Sequence, residues 1–274
     1  MKTKTIFAKS SAIVAVLALT ASGAFAAATA SDTAANYAGV WSTTPSSLGS
    51  GFGAWSITAV NNTAPPYSGT YLDQTSYGNS DAVLNSGYAW GTYANGGDGS
   101  GALDMVRAFN TGSGSASLVN QTFSVGLGSG GIGGQGSSIV LGIGTAFTLS
   151  YAGGGPDNFA LSVDGGAATA VPVDFAQLAA GIKVSLTVSG ALNSTSEGYA
   201  LAISPVAGGP AIYTGTGTFD SATYNTSSFS YADNNTSNDQ FVNDLNITAV
   251  PEPSSMLLFG SSGLVTLLAI RRRK

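Results

Sequence analysis

The sequence predicts an all-β chain, an antiparallel β-sandwich flanked by an N-terminal signal peptide and a C-terminal transmembrane helix. One observation is a two-residue apolar period in short segments that glycine-rich turns separate. Another is an apolar stretch with lysine or arginine beside it at each end of the 274-residue chain. Residues 27–249 lie between these ends, and their number is sufficient for one sandwich domain with its own core.

The N-terminal 26 residues have the composition of a secretory signal peptide. Three lysines within the first nine residues precede the apolar run SAIVAVLALTA, and Ala24 and Ala26 then place small residues two positions apart. Signal peptidase cuts after such a small-x-small pattern. We therefore predict cleavage between Ala26 and Ala27, with Ala28 or Ala30 as alternative cut sites.

The predicted strands have apolar residues on one face and polar residues on the other. In GIKVSLTVSG the apolar residues are Ile182, Val184, Leu186 and Val188. The same period groups Phe147, Leu149 and Tyr151; Phe159, Leu161 and Val163; Tyr199, Leu201 and Ile203; and Phe241, Leu245 and Ile247. Glycine pairs in VDGGAA and VAGGPAIY predict hairpins. PVDFAQLAAG, residues 172–181, predicts one short helix, so strands dominate and the fold is antiparallel.

The exported segment is acidic and contains few charges. Between residues 27 and 249 there are thirteen carboxylates but two cations, Arg107 and Lys183, which gives a formal charge of −11. Such a surface lacks the basic patch that nucleic acid or an anionic membrane requires. No cysteine occurs, so the fold is held without disulfide bonds.

The residue types also argue against an enzyme. The chain has neither histidine nor cysteine, which removes the usual nucleophile–base pairs and imidazole metal sites. Glycoside hydrolysis needs two facing carboxylates. Glu197 is the one glutamate between residues 27 and 249, and we interpret it as a solvated residue at the start of a strand.

The C-terminal segment predicts a minimal membrane span. Residues 254–270 carry no charge, and seventeen helical residues extend about 25 Å, close to the thickness of a hydrocarbon core. The cations that follow are Arg271, Arg272, Arg273 and Lys274. Because positive residues stay in the cytoplasm, the rest of the chain is predicted to be outside. Pro251 and Pro253 keep the preceding backbone extended and accessible.

Together, the proline motif, the uncharged apolar segment and the terminal cations resemble the PEP-CTERM sorting signal of Gram-negative bacteria that make exopolysaccharide. The motif VPEP comprises Val250, Pro251, Glu252 and Pro253, and the apolar segment and RRRK follow it through residue 274. The resemblance implies export across the inner membrane by way of signal peptidase and transient anchoring through the C-terminal helix. It also implies cleavage near the Pro-Glu-Pro by an exosortase, and a final place at the cell surface or in the extracellular matrix.

The order of the central segments resembles concanavalin A-like jelly rolls. The resemblance is carried by GSGFGAWSITA, QTFSVGLG and FVNDLNITA, the last of which covers residues 241–249. It implies a jelly-roll sandwich in which the final strand lies beside the first.

One loop carries a pattern of oxygen ligands. In YADNNTSNDQFVNDL the residues at positions 1, 3, 5 and 12 of an EF-hand-like spacing are Asp233, Asn235, Ser237 and Asp244, which favours Ca²⁺. Asn238 replaces the turn glycine, and Asp244 replaces the bidentate glutamate. A polar turn between two strands is the alternative interpretation, and no other cofactor is predicted.

An aromatic cluster suggests a sugar-binding surface. Tyr88, Trp90 and Tyr93 lie near a glycine-rich loop, and exposed aromatic rings stack against sugars. Tryptophan buried in the core is the alternative. The sequence thus favours a non-enzymatic surface or matrix protein associated with exopolysaccharide, or alternatively a carbohydrate-binding, lectin-like module. A glycan-active enzyme is the third hypothesis, disfavoured by the missing residue types.

Overall fold

The computed structural model describes residues 30–41, 47–60, 67–74, 87–95, 101–109, 118–190 and 194–250. They all belong to one compact unit, Ala27–Pro251. The predicted signal peptide and the chain from residue 251 onward, including the predicted transmembrane helix, lie outside the described residues. Within the described ranges, no helix is long and apolar enough to cross a membrane.

The described chain is almost entirely β-strand. In chain order the strands are β1 (Ala30–Asp32), β2 (Phe52–Val60), β3 (Ser68–Gln74), β4 (Tyr88–Ala94), β5 (Ala102–Phe109), β6 (Gln121–Ser129), β7 (Ser138–Ile143), β8 (Phe147–Ala152), β9 (Phe159–Val163), β10 (Thr169–Val171), β11 (Ile182–Ser189), β12 (Glu197–Pro205), β13 (Tyr213–Phe219), β14 (Ser228–Asn234) and β15 (Gln240–Ala249). A 3₁₀ helix at Ala34–Tyr37 and one α-helix, α1 (Phe175–Ala179), complete the described elements.

The strands form two antiparallel sheets, which confirms the predicted sandwich. Among the described strands, the first sheet has the order β13-β12-β11-β6-β15-β4-β3, with β1 also paired to β15, and the second has the order β10-β9-β8-β7-β14-β5-β2. The chain passes repeatedly between the sheets, as in a jelly roll. The final strand β15 pairs with β1 through Leu245–Ile247, as predicted for a closing strand.

The predicted alternation is observed where a strand is regular. In β11 the side chains at 182, 184, 186 and 188 are buried, whereas Lys183 is exposed. The predicted helix forms as α1, where Asp174 and Gln177 make a capping box. Asp164 and Gly165 adopt positive φ at the β9–β10 hairpin, as the VDGG sequence predicts.

Strand β15 departs from the predicted alternation because it contains a bulge. Its register with β6 shifts between Asn243 and Asn246, and Asp244 has a φ of 53°. Val242 therefore lies in the main core with Leu245, whereas Phe241 belongs to a separate cluster. The prediction that Phe241 shares a face with Leu245 was wrong, because an inserted residue reverses the order of the faces.

Candidate functional site

The folded unit ends immediately before the predicted sorting motif. Strand β15 ends at Ala249, and the backbone N–H of Val250 donates a 2.9 Å hydrogen bond to the carbonyl oxygen of Asn120. The remaining motif residues, 251–274, lie outside the described residues. The last described strand therefore ends one residue before the predicted VPEP motif, which begins at Val250.

The predicted aromatic sugar platform does not form on one surface. Tyr88, Trp90 and Tyr93 all lie in β4, but Trp90 is fully buried and Tyr88 packs against the same core. The Trp90 ring lies 5.1 Å from Trp55 and 5.7 Å from Tyr37, centroid to centroid. Trp90 is thus a core residue, which corrects the platform prediction: side chains with even numbers in β4 face inward.

Tyr93 lies on the opposite, outer face of this sheet. It is opposite Gly69 in the β3–β4 pair, and its hydroxyl lies 2.6 Å from the position of a Cβ atom at Gly69. The Tyr71 ring covers Gly91 in the same way, and the Tyr71 and Tyr93 rings are 6.3 Å apart. The Tyr93 and Tyr71 rings thus occupy the space over Gly69 and Gly91 that larger side chains would fill. They form a small aromatic pair on the outer face, and Trp90 is not part of it.

Asp233, the first predicted metal ligand, is a buried strand residue. It lies in β14 with 0% exposure, and it accepts hydrogen bonds from Thr92 Oγ1 at 3.1 Å and Thr236 Oγ1 at 2.8 Å. Burial raises its pKa to about 6, although the Thr236 and Thr92 hydrogen bonds act in the opposite direction. Within the fold the Asp233 carboxyl therefore gains a proton at a higher pH than an ordinary aspartate.

The other predicted ligands are divided between two places. Asn235 and Ser237 adopt left-handed conformations in the turn after β14, as polar turn residues do. Asp244 instead lines a cavity of about 190 Å³ together with Lys183 and Gly126. Within the described ranges, no group of three or more His, Cys, Asp or Glu residues is placed to hold a metal ion.

The path of β15 explains why Asp233 and Asp244 are apart. Gln240 pairs with Thr92, and Thr92 contacts Asp233. Since a strand rises about 3.3 Å per residue, the extended residues 240–243 carry the chain about 10 Å along β15 before Asp244 is reached. The EF-hand spacing is therefore not reproduced in space, because residues 240–243 are extended rather than looped. The polar-turn interpretation describes residues 235–239 better.

Sequence reasoning missed a buried ion pair that joins the two sheets. Arg107 of β5 pairs with Asp32 of β1, and both side chains are fully buried. Asp32 also accepts a 2.7 Å hydrogen bond from the Tyr37 hydroxyl. The Arg107 guanidinium carbon lies 5.1 Å from the Phe52 ring and 5.0 Å from the Trp55 ring. The signal was present, because Arg107 continues the inward alternation of Leu103 and Met105.

A second missed feature is a cleft along one side of the sandwich. It lies between the β12–β13 edge of one sheet and the β9–β10 edge of the other, and its volume is about 330 Å³. Its lining residues are Leu161, Val163, Ala167, Thr169, Tyr199, Tyr213, Gly215 and Thr216. Both tyrosines are half-buried, so this cleft presents two partly exposed aromatic rings, whereas Trp90 of β4 is buried.

Glu197 also differs from its prediction. It was expected to be solvated, yet it is 1% exposed in β12, and among the described residues neither carboxylate oxygen has a hydrogen-bond partner. Opposite it in the strand pair lies Phe219, an apolar neighbour. The prediction failed because the residue begins an inward-facing series that continues with Tyr199 and Leu201.

Comparison with known proteins identifies the C-terminal segment. Residues 249–274 match the PEP-CTERM protein-sorting motif. A comparison with curated protein sequences finds no match.

Two solved structures illustrate the similarity of the folded unit. The binding domain of botulinum neurotoxin DC in complex with SialylT is 10% identical, with a TM-score of 0.40, and the match covers 76% of this chain and 46% of that chain. The Ca²⁺-bound VIP36 exoplasmic/lumenal domain is 8% identical, with a TM-score of 0.42, and the match covers 70% of this chain and 87% of that chain. The chain therefore spans less than half the length of the toxin chain.

Proposed function

We propose that this protein is a non-enzymatic surface or extracellular-matrix protein of a Gram-negative bacterium, exported across the inner membrane and sorted by an exosortase. The observation that carries the proposal is the match of residues 249–274 to the PEP-CTERM protein-sorting motif. The signal-peptide pattern at the other end of the chain supports export. The missing histidine and cysteine support a role without catalysis.

The end of the folded unit supports processing at the motif. Strand β15 ends at Ala249, and Val250 is held by its hydrogen bond to Asn120. Cleavage between Pro251 and Pro253 would remove none of the described strands. The exosortase can thus separate the sandwich from its membrane segment while the hydrogen-bonded sheets stay intact.

Charge supports a neutral exopolysaccharide as the matrix partner. Arg107 is buried in its ion pair, so Lys183 is the cation of residues 27–249 that reaches the surface. Thirteen carboxylates accompany these two cations, and a net negative surface repels acidic polymers. A neutral polysaccharide carries no such penalty.

Mass spectrometry of the exported protein tests the sorting proposal. We expect the mature chain to end between Pro251 and Pro253. In cells without the exosortase, we expect the protein still to contain residues 254–270. Replacing residues 271–274 with serines should impair anchoring, whereas replacing Arg271–Arg273 with lysines should not, because lysine keeps the charge. Secreted protein that still contains residues 264–274 would refute the proposal.

A further inference from the structure

The side cleft of the sandwich has the features of a ligand site. Its volume of about 330 Å³ falls in the range of roughly 300–1,000 Å³ typical of small-ligand clefts. It opens where β13 and β10 form the ends of their sheets. Leu161 and Val163 supply an apolar wall, and Thr169, which pairs with Leu161 on the same face, supplies a hydroxyl group. The site therefore combines apolar and hydrogen-bonding surfaces.

Two glycines in β13 shape the aromatic side of this cleft. A Cβ atom at Gly215 would lie 2.5 Å from the Tyr213 hydroxyl, and a Cβ atom at Gly217 would lie 2.8 Å from the Tyr199 ring. Each phenol ring therefore occupies space that a side chain on β13 would fill. Phe147 supports Tyr199 from the core side, with centroids 5.0 Å apart in a T-shaped contact. The Tyr199 ring is thus held in place by packing.

The polar groups of the cleft are available for hydrogen bonding. Neither the Tyr199 hydroxyl nor the Tyr213 hydroxyl has a hydrogen-bond partner among the described residues. Burial, followed by the nearby Tyr213 and Asp164, raises the pKa of Tyr199, so its hydroxyl stays a neutral donor.

We infer that this cleft binds a neutral saccharide, with a sugar ring against Tyr213 and Tyr199 and sugar hydroxyls on the oxygens of these tyrosines and Thr169. Aromatic faces with nearby hydroxyls suit the apolar face and polar rim of a sugar ring. None of the described lining residues is cationic, and residues 27–249 carry a formal charge of −11, so an acidic sugar is disfavoured. The inference rests on the proposed association with exopolysaccharide and names the surface and the class of sugar involved.

Affinity electrophoresis and calorimetry of the full chain in non-denaturing detergent test this site. The probes are cellotetraose, mannotetraose and galactotetraose, with tetragalacturonic acid as the charged comparison. We expect at least one neutral tetramer to bind at millimolar concentration or below, and tetragalacturonic acid to bind at least tenfold more weakly. Replacing Tyr213 with alanine should weaken neutral-tetramer binding about tenfold, since the stacking surface is lost.

Two further substitutions in β13 provide a matched comparison. Gly215→Val would place its side chain in the space that the Tyr213 ring occupies, displace that ring and abolish binding, whereas Thr218→Val puts valine at a β13 position that is not among the cleft residues and should leave binding unchanged. If the parent binds no neutral tetramer, or if Tyr213→Ala and Gly215→Val bind as the parent does, the inference is wrong. Sorting is measured separately by the mass of the exported chain, so failure at the cleft does not count against exosortase processing.

Discussion

Protonation of Asp233 should make the stability of this protein depend on pH. Its pKa is raised from 3.8 to about 6 in the folded protein, chiefly by burial. The shift corresponds to about 3 kcal/mol, at about 1.36 kcal/mol per pKa unit. Because the folded state favours the neutral acid, its contribution is complete below pH 3.8. This contribution is lost as the pH rises from 3.8 through 6, and Asp233 no longer adds to the pH dependence above about pH 7.

The substitution Asp233→Asn isolates this effect. Asparagine keeps an oxygen that can accept the hydrogen bond from Thr92 or Thr236, but it does not ionise. The variant should therefore match the parent at pH 4 and exceed its free energy of unfolding by up to about 3 kcal/mol at pH 7.5. Asp104→Asn in β5 is the control, because Asp104 is exposed and should change little.

The assay is urea unfolding of the full chain between pH 4 and pH 8, at constant ionic strength and with EDTA. Equal pH dependence of the parent and Asp233→Asn would refute the reasoning, since the carboxyl would then not be the titrating group. A parallel series with 1 mM CaCl₂ tests the calcium hypothesis at the same residue. If calcium stabilises the parent but not Asp233→Asn, the ion binds at Asp233 after all; we expect the two to respond alike.

Three further predictions concern core packing and buried polar groups. Leu186→Ala should lower the free energy of unfolding by about 2–5 kcal/mol because it leaves a cavity in the core. Thr187→Ala on the other face should cost about 1 kcal/mol, since it removes the 2.8 Å hydrogen bond between the Thr187 and Thr122 hydroxyls. Equal losses in urea unfolding would contradict the strand assignment. Arg107→Met should cost about 3–5 kcal/mol because it leaves the Asp32 carboxylate buried and unpaired. Adding Asp32→Asn should recover part of that loss, and a double variant as unstable as the single one would argue against charge as the cause. Glu197→Gln should raise the urea midpoint, since it replaces a buried carboxyl group that has no hydrogen-bond partner among the described residues; a lower midpoint would indicate that the carboxyl group is stabilising.

Local sequence patterns predicted the elements of this fold. Alternation at residues 182–188 specified a strand with one buried face, because side chains in a strand point to opposite sides in turn. Paired glycines marked the hairpins, since they adopt positive φ without strain. The C-terminal motif was also readable from the chain alone, because prolines, an apolar run and terminal cations act through composition and order rather than through folding.

The tertiary structure decided which side chains could act together. The sequence alone allows Trp90 to be a sugar-binding residue, but in the structure this side chain is buried in the core between the two sheets. The sequence of β4 does not specify which residues pack over it. Asp233 and Asp244 are eleven positions apart in sequence, but the extended path of β15 separates them. The bulge at Asp244 places Phe241 and Leu245 on opposite faces of β15. A strictly alternating pattern predicts the same face for both residues.

The sequence by itself therefore determined the strands, the turns and the C-terminal sorting motif, and it predicts the signal peptide, because each depends on neighbouring residues in the chain. The tertiary structure decided the buried Arg107–Asp32 pair and the cleft at Tyr199 and Tyr213. Arg107 and Asp32 lie 75 positions apart, and the cleft brings together the edges of two sheets. Such sites depend on which distant strands become neighbours, and that choice is made by burial across the whole domain rather than by any local pattern.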